Sequence, residues 1–439
     1  MIPIQISQPE LPMTRMVVSL SALIMSIVLL VSGNAFLMTL LGIRLSIEQV
    51  SPDVIGWVLV CYSIGFVLGT LYVHKIIGRV GHIRAFAVFA AMAAVAALLY
   101  PMAVSTLFWA VLRVLSGFSV AGVLVVIESW FSSRATNSNR GAMFAVYQIV
   151  FYLSAAGGQL IVNVGDPANF LPFSLAAILL ALALIPLSLT RMEAPVIEQT
   201  ARMSVFKLAR ESFSGVAGAL VSGVLIGGFY ALGPVYATLV GLDVAKTSTF
   251  MASAIVAAML LAWPLGRVCD RFDRRRVMFW VALAAASSAG GVAVLGAGNL
   301  ALLTLLVGLF TGLSATLYPI AVAIANDRMD SNRIVAASAT LLLSYGIGSV
   351  IGPIAMAELI NQLGPSGLFY GNAGFLLVLA VITSYRITHT DDVPVEDQEH
   401  FVPAMPEASP VLAELDPRNE DFHESPEVEE MQEELRQAG

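Results

Sequence analysis

The chain has 439 residues, 58% of them hydrophobic and only 12% charged, with a formal net charge of −7. Soluble domains run near half apolar and about a quarter charged, so this composition excludes an ordinary water-soluble fold and calls for lipid. With two cysteines, Cys61 and Cys269, in different spans at different depths, a disulfide framework and a cysteine-based zinc site are excluded as organising features.

A membrane helix needs about 20 largely apolar residues, because roughly 30 Å of hydrocarbon is crossed at about 1.5 Å per residue. Met16 to Gly42 meets that requirement. Eleven further stretches follow at approximately 54–74, 85–104, 106–129, 141–163, 170–190, 213–240, 248–268, 277–297, 299–325, 334–361 and 367–388. These runs are too long for outer-membrane strands, which need about ten residues of alternating character. The expectation is an all-α integral membrane protein with twelve spans. The start through Pro12 lacks the basic, hydrophobic and cleavage-site order of a signal peptide, so the first span is expected to stay in the mature protein.

An even number of spans and a cytoplasmic N-terminus place the loops after even-numbered spans inside, where Lys and Arg concentrate. Of the 23 Lys and Arg, only Arg44 and Lys246 fall outside and Arg113 lies within a span; the remaining twenty fall inside. The localisation this predicts is the inner (plasma) membrane, multi-pass, with both termini cytoplasmic. Residues 391–439 hold sixteen acids against Arg418 and Arg436, so the tail carries −14 and the rest of the chain +7. A segment so rich in Pro, Glu and Asp buries too little apolar surface to offset its ordering entropy, which predicts a mostly disordered tail. Ser425-Pro426-Glu427 offers a start for a short terminal helix. A soluble partner for the tail, or docking on the membrane body, is the alternative to a merely solvated tail.

The run Gly78-Arg79-Val80-Gly81-His82-Ile83-Arg84 after the second span aligns with Asp270-Arg271-Phe272-Asp273-Arg274-Arg275-Arg276 after the eighth, at an offset of 192 residues. Ser138-Asn139-Arg140 before the fifth span matches Ser331-Asn332-Arg333 before the eleventh, at an offset of 193. The organisation read from this is an N-terminal six-helix bundle (1–190), a linker (191–212), a C-terminal six-helix bundle (213–390) and the acidic tail (391–439). Val205, Phe206 and Leu208 among Arg202, Lys207 and Arg210 make the linker a candidate surface-lying amphipathic helix.

At these residues the chain resembles the major facilitator superfamily, whose cytoplasmic motif reads Gly-x-x-x-Asp-Arg-x-Gly-Arg-Arg. Gly266, Asp270, Arg271, Arg274 and Arg275 match it, and Arg113 with Gly117 matches the Arg and Gly of the family's fourth span. Glu128-Ser129-Trp130, Asn139-Arg140-Gly141 and Gly157-Gly158-Gln159 are similar to a poorly characterised bacterial permease subgroup. The resemblance covers about residues 15 to 390. It implies two bundles, each nested from three-helix repeats, around a central site exposed alternately to either side and lined by spans one, four, seven and ten. It also implies a latch in which the motif's Asp and Arg form charge pairs and touch a helix end. The first half departs from the motif: Gly78 stands where the Asp is expected, and His74 and His82 replace a Gly and a basic residue. The gate set implied is Arg79, Gly81, Arg84, Arg140, Gly266, Asp270, Arg271, Arg275, Asp327 and Arg333.

An Arg within a span costs several kcal/mol to insert, so Arg113 is expected to face a wet cavity, where it binds an anionic group or holds a carboxylate ionised; the alternative is snorkelling to the outer surface. Glu128 lies fifteen residues on, about 60° around the helix and about 22 Å along it, so the two share a face without touching. Glu128 reads either as an inner-gate salt bridge with Arg79, Arg84, Arg134 or Arg140, or as a coupling carboxylate that takes a proton. Asn34, Gln148 and Gln159 are candidates for substrate contact against helix–helix hydrogen bonding, with Asn163 near the outer end of span five. Tyr147, Tyr152, Tyr230, Tyr236, Trp263, Tyr318 and Tyr345 offer an aromatic wall, against packing or interfacial anchoring for any one of them. Gly348 and Gly352 with Pro353 suit close helix packing.

No Walker-type loop occurs, so direct ATP drive is not expected. All five histidines lie in loops or the tail, which leaves no intramembrane metal cluster or His-based relay, and a membrane enzyme is the weakest reading because no reactive group in the membrane has a base beside it. Ser154-Ala155-Ala156-Gly157-Gly158-Gln159 departs from the family's antiporter signature. The sequence therefore predicts a secondary active or facilitative transporter of a small organic solute, with protons as a possible coupling partner, the bilayer as its medium, and no cofactor, metal or nucleic acid. The rival reading is a transporter-shaped sensor or scaffold signalling through the acidic tail.

Overall fold

A computed structural model describes residues 20–136, 139–189, 203–295, 298–329, 333–390, 393–398 and 400–405. Twelve helices in it are long and apolar enough to cross a membrane. In the first half they are α1 (Ser21–Ile47), α2 (Pro52–Val80), α3 (His82–Met102), α4 (Thr106–Ser133), α5 (Arg140–Ile161) and α6 (Leu171–Ser188). In the second half they are α7 (Phe213–Leu239), α8 (Val244–Cys269), α9 (Arg274–Leu295), α10 (Leu300–Asn326), α11 (Ile334–Leu363) and α12 (Gly367–His389). Leu107, Val111, Trp263 and Trp280 stand exposed on the outside, as lipid-facing side chains do. There are no strands among the described residues.

Helix ends follow local chemistry. Pro52 occupies the first turn of α2, where its missing N–H costs nothing. Gly81 adopts φ +86 and separates α2 from α3, a conformation that an L side chain resists. The Asp243 and Asn299 side chains accept backbone N–H groups of the first turns of α8 and α10. Two helix ends run furthest beyond the hydropathy reading. The first span runs on to Ile47 because Arg44 is accommodated by Glu48 at 2.6 Å and by the carbonyls of Pro167 and Ala168. The second continues past residue 74 to Val80, carrying His74, Lys75 and Arg79 on its last turns.

The halves repeat in their packing: α1 lies on α5 as α7 lies on α11, α2 on α4 as α8 on α10, and α3 on α6 as α9 on α12. Close approach uses glycine. A Cβ on Gly65 or Gly117 would come within 2.1 Å of a backbone oxygen across the α2–α4 contact, and one on Gly348 or Gly352 within 2.0 or 2.2 Å of a backbone oxygen of α7. Within the linker, a helix over Val205–Glu211 buries Leu208 and leaves Phe206 83% exposed.

The two halves meet along α1–α7, α2–α11 and α5–α8. One tight contact, between Gly346 of α11 and Val67 of α2, lies in mid-membrane, and the others lie at the end opposite the basic loops. There Gly56 faces Ala357 and Pro353, Gly42 faces Pro234, and the Ser248 hydroxyl donates to the Gln159 carbonyl at 2.5 Å. At the basic end the segment 400–405 lies against the body, with Met405 buried and Phe401, Val402 and Ala404 packed on the core. That part of the acidic tail does not stand off in solvent. The candidate helix at Ser425-Pro426-Glu427 lies outside the described residues.

Candidate transport site

Between the two bundles is a cavity of about 190 Å³. From the first half, α1, α2, α4 and α5 line it, with Asn34, Met38, Tyr62, Tyr152 and Gln159 among their side chains. From the second half, α7, α8 and α11 supply Tyr230, Met251, Tyr345 and Ser349 among others. No Asp, Glu, Lys, Arg or His is among the lining side chains. Concave, mostly apolar and carrying a few fixed polar groups, it has the character of a small-molecule site.

The polar groups are held by neighbours rather than loose. Asn34 donates to the Tyr62 hydroxyl at 3.1 Å. Gln159, nearly fully buried, accepts from Thr39 at 2.6 Å and donates to the Ala35 carbonyl at 3.3 Å. One polar face of α1 is therefore fixed against α2 and α5. Asn34, Gln159, Tyr152, Tyr230 and Tyr345 are thus brought together by the fold. α10 does not reach the cavity, in contrast to the span-ten lining that the family resemblance implies; Tyr345 of α11 covers Tyr318 of α10, their rings 5.4 Å apart and edge to face.

Other candidates sit elsewhere. Gln148 is outside the cavity lining and donates to the Pro403 carbonyl at 3.1 Å. Tyr147 donates to Glu128 Oε1 at 2.5 Å, deep between α4 and α5. Tyr236 packs edge to face on Phe369 inside the second bundle. Trp263 faces outward with the Arg267 guanidinium 3.5 Å above its ring, an interfacial anchor rather than a cavity wall. Asn163 donates to Ser248 at 3.1 Å across the α5–α8 contact.

Arg113 neither snorkels nor lines the cavity. It is 1% exposed, with its guanidinium carbon 4.5 Å from the centre of the Tyr62 ring and one terminal nitrogen 2.8 Å from Met38 Sδ. Met38 and Tyr62 both line the cavity, so Arg113 stands one layer behind its wall. These two residues were missed by sequence reasoning; a Tyr in mid-span, where its hydroxyl needs a partner, was the available signal.

The gate set divides in the same way. Arg274 and Asp327 form an ion pair almost wholly out of solvent, tying α9 to α10. Arg275 is buried and donates to the carbonyls of Arg386 and Thr390 at 3.3 Å, closing the end of α12. Arg333 grips Glu211 of the linker helix at 2.7 Å. Arg140 opens α5, half-buried. Of the motif residues, Arg274 makes a charge pair and Arg275 touches a helix end, whereas Asp270 accepts the backbone N–H of Phe401 at 2.7 Å, and a Cβ on Gly266 would meet the Phe401 ring at 2.9 Å. Arg271, Arg79 and Arg84 are exposed and form no ion pair among the described residues. Gly81 serves as the helix break between α2 and α3.

The profile of the Major Facilitator Superfamily matches residues 16–297 and 241–419. The chain belongs to the major facilitator superfamily. It is 30% identical over 376 residues to the uncharacterized MFS-type transporter YcaD of Escherichia fergusonii, covering 83% of this chain and 96% of that one. The same holds for YcaD of Escherichia coli O9:H4, at 30% identity over 84% of this chain and 96% of that one. Among solved structures, the nucleoside transporter NupG superposes with a TM-score of 0.71 at 16% identity, over 84% of this chain and 99% of that one. A bacterial homologue of the human lysosomal transporter Spinster, inward-facing and occupied, gives a TM-score of 0.70 at 13% identity, over 88% of this chain and 98% of that one. At such identities these two show a shared fold. This major facilitator protein is a multi-pass membrane transporter, with twelve spans in two related bundles.

Proposed function

We propose that the protein is a secondary transporter that carries a small organic solute across the bacterial inner membrane by alternating access. The observation that carries this reading is the cavity between the two halves, walled by both and free of any nucleotide-binding or metal-ligating arrangement among its lining side chains. In this reading the basic end faces the cytoplasm, and both termini with it, in keeping with the distribution of Lys and Arg along the sequence.

Rocking of one bundle against the other about the α2–α11 and α5–α8 contacts exposes the cavity to either side in turn. Asn34, Gln159, Tyr152, Tyr230 and Tyr345 make the contacts to the solute. Glu128 carries the proton in coupled transport, held in place by the hydrogen bond that the Tyr147 hydroxyl donates to it.

The experiment that tests this reading is a stabilisation screen: purified protein is melted in the presence of several hundred metabolites. A solute that raises the melting temperature in the wild type, and fails to do so in Tyr230→Ala or Asn34→Ala, supports the site. Stabilisation retained in both variants contradicts its placement. The sensor reading through the tail finds support in the contact of segment 400–405 with both bundles. Deleting residues 391–439 separates the two: transport that survives with signalling lost favours the sensor.

A further inference from the structure

We propose that Arg113, uncovered by a swing of Met38, binds the carboxylate of a monoanionic solute whose ring-bearing or alkyl body fills the cavity; this rests on the reading of the cavity as the transport site. The Arg113 guanidinium is 99% out of solvent, yet no carboxylate pairs with it among the described residues. Its Nε has no hydrogen-bond partner and one terminal nitrogen meets only a thioether. The Tyr100 and Tyr62 hydroxyls and the Cys61 thiol are its other polar neighbours, with the Tyr62 ring face against it. Buried charges are ordinarily paired, and a thioether is a weak acceptor.

The charge is therefore held ready without its counter-ion. Met38 touches the guanidinium and lines the cavity, and its unbranched side chain is the easiest kind to move aside. The fork thus exposed matches a carboxylate in two parallel hydrogen bonds. A cationic solute, by contrast, finds no acidic side chain in the lining. Phe66, Phe151 and the tyrosines supply the apolar wall for the rest of the molecule.

The test melts the full chain with matched pairs: benzoate and benzamide, phenylacetate and phenylacetamide, octanoate and octanamide. Carboxylates should stabilise the protein and their amides should not, and Arg113→Gln should weaken carboxylate binding by about tenfold or more. Met38→Glu keeps Arg113 and supplies an internal carboxylate; it should melt higher without ligand and lose the response to carboxylates. The inference is overturned if amides stabilise as well as carboxylates, if neither member of any pair stabilises, or if Met38→Glu responds as the wild type does. The first two results leave the transport reading standing when the metabolite panel yields a neutral solute that Tyr230→Ala no longer binds.

A second observation, independent of the first, concerns residues 401–403. We infer that this segment is a wedge that holds the basic ends of α5 and α8 apart and restrains the alternation of the two bundles. Phe401 donates its N–H to Asp270 and lays its ring on Gly266, both at the end of α8. Two residues on, the Pro403 carbonyl accepts from Gln148 of α5. The strap therefore has one foot on each half. At the opposite end α5 and α8 join directly through Ser248, Gln159 and Asn163. Closing the basic end requires the same direct approach there, and the strap occupies that place.

Spin labels at Gly141→Cys and Phe272→Cys, in a Cys61→Ser, Cys269→Ser background, report the separation of the basic ends. Phe401→Ala, and separately removal of residues 400–439, should add a population at shorter distance that the intact strap suppresses; Gln148→Ala, which removes the other foot, should act in the same direction. An unchanged distribution in all three, or a shift only to longer distances, overturns the wedge.

Discussion

The Tyr147 hydroxyl of α5 donates to Glu128 Oε1 of α4 at 2.5 Å, with both side chains fully out of solvent. Leaving a buried polar group without its hydrogen-bond partner costs about 1–3 kcal/mol, because no water is there to replace it. Tyr147→Phe should lower the unfolding free energy by about that amount, measured by denaturant titration in a fixed detergent. An unchanged midpoint would show that the contact is dispensable.

Glu128→Gln keeps an acceptor for Tyr147 but has no titrating proton. If Glu128 is the coupling group, gradient-driven accumulation in liposomes disappears while exchange of solute across the same membrane continues. Accumulation at the wild-type level would leave Glu128 with a structural role only.

The ion pairs should differ sharply in worth. Arg274 and Asp327 are 2% and 4% exposed, so Asp327→Ala strands a buried cation and should cost about 3–5 kcal/mol. Arg333 and Glu211 are each 31% exposed, and Glu211→Ala should cost less than about 1 kcal/mol, decreasing further in high salt. Denaturation of the two variants side by side checks the ranking, and equal losses would contradict it.

A Cβ on Gly56 would lie 2.4 Å from the Ala357 Cβ and 2.9 Å from the Pro353 oxygen. Gly56→Leu should therefore prevent the halves from meeting at the end opposite the basic loops. Spin labels at Ile47→Cys and Leu363→Cys should gain a longer-distance population in this variant. A distribution identical to that of the parent would show that the contact does not govern closure.

The span count and the two-fold repeat were legible because hydrocarbon thickness sets the length of an apolar run, and the paired loops at Arg79 and Arg271 repeat in register. Helix ends were less so: Arg44 stays within α1 because partners distant in sequence, at Pro167 and Ala168, satisfy it. Asn34 and Gln159 were recognisable as isolated amides in apolar runs. Gln148 has the same signature yet faces a tail residue 255 positions away, a contact that no local pattern announces. Met38 and Tyr62 escaped because a thioether and a tyrosine look like packing until a buried guanidinium is found beside them.

The central claim is solute movement through the cavity between the bundles, and transport by purified protein in liposomes tests it most directly. With a broad metabolite panel and an imposed pH gradient or none, at least one organic solute should enter saturably, and its entry should fall in Tyr230→Ala. Failure of every solute to move under both conditions, by protein that melts cooperatively, would contradict the account.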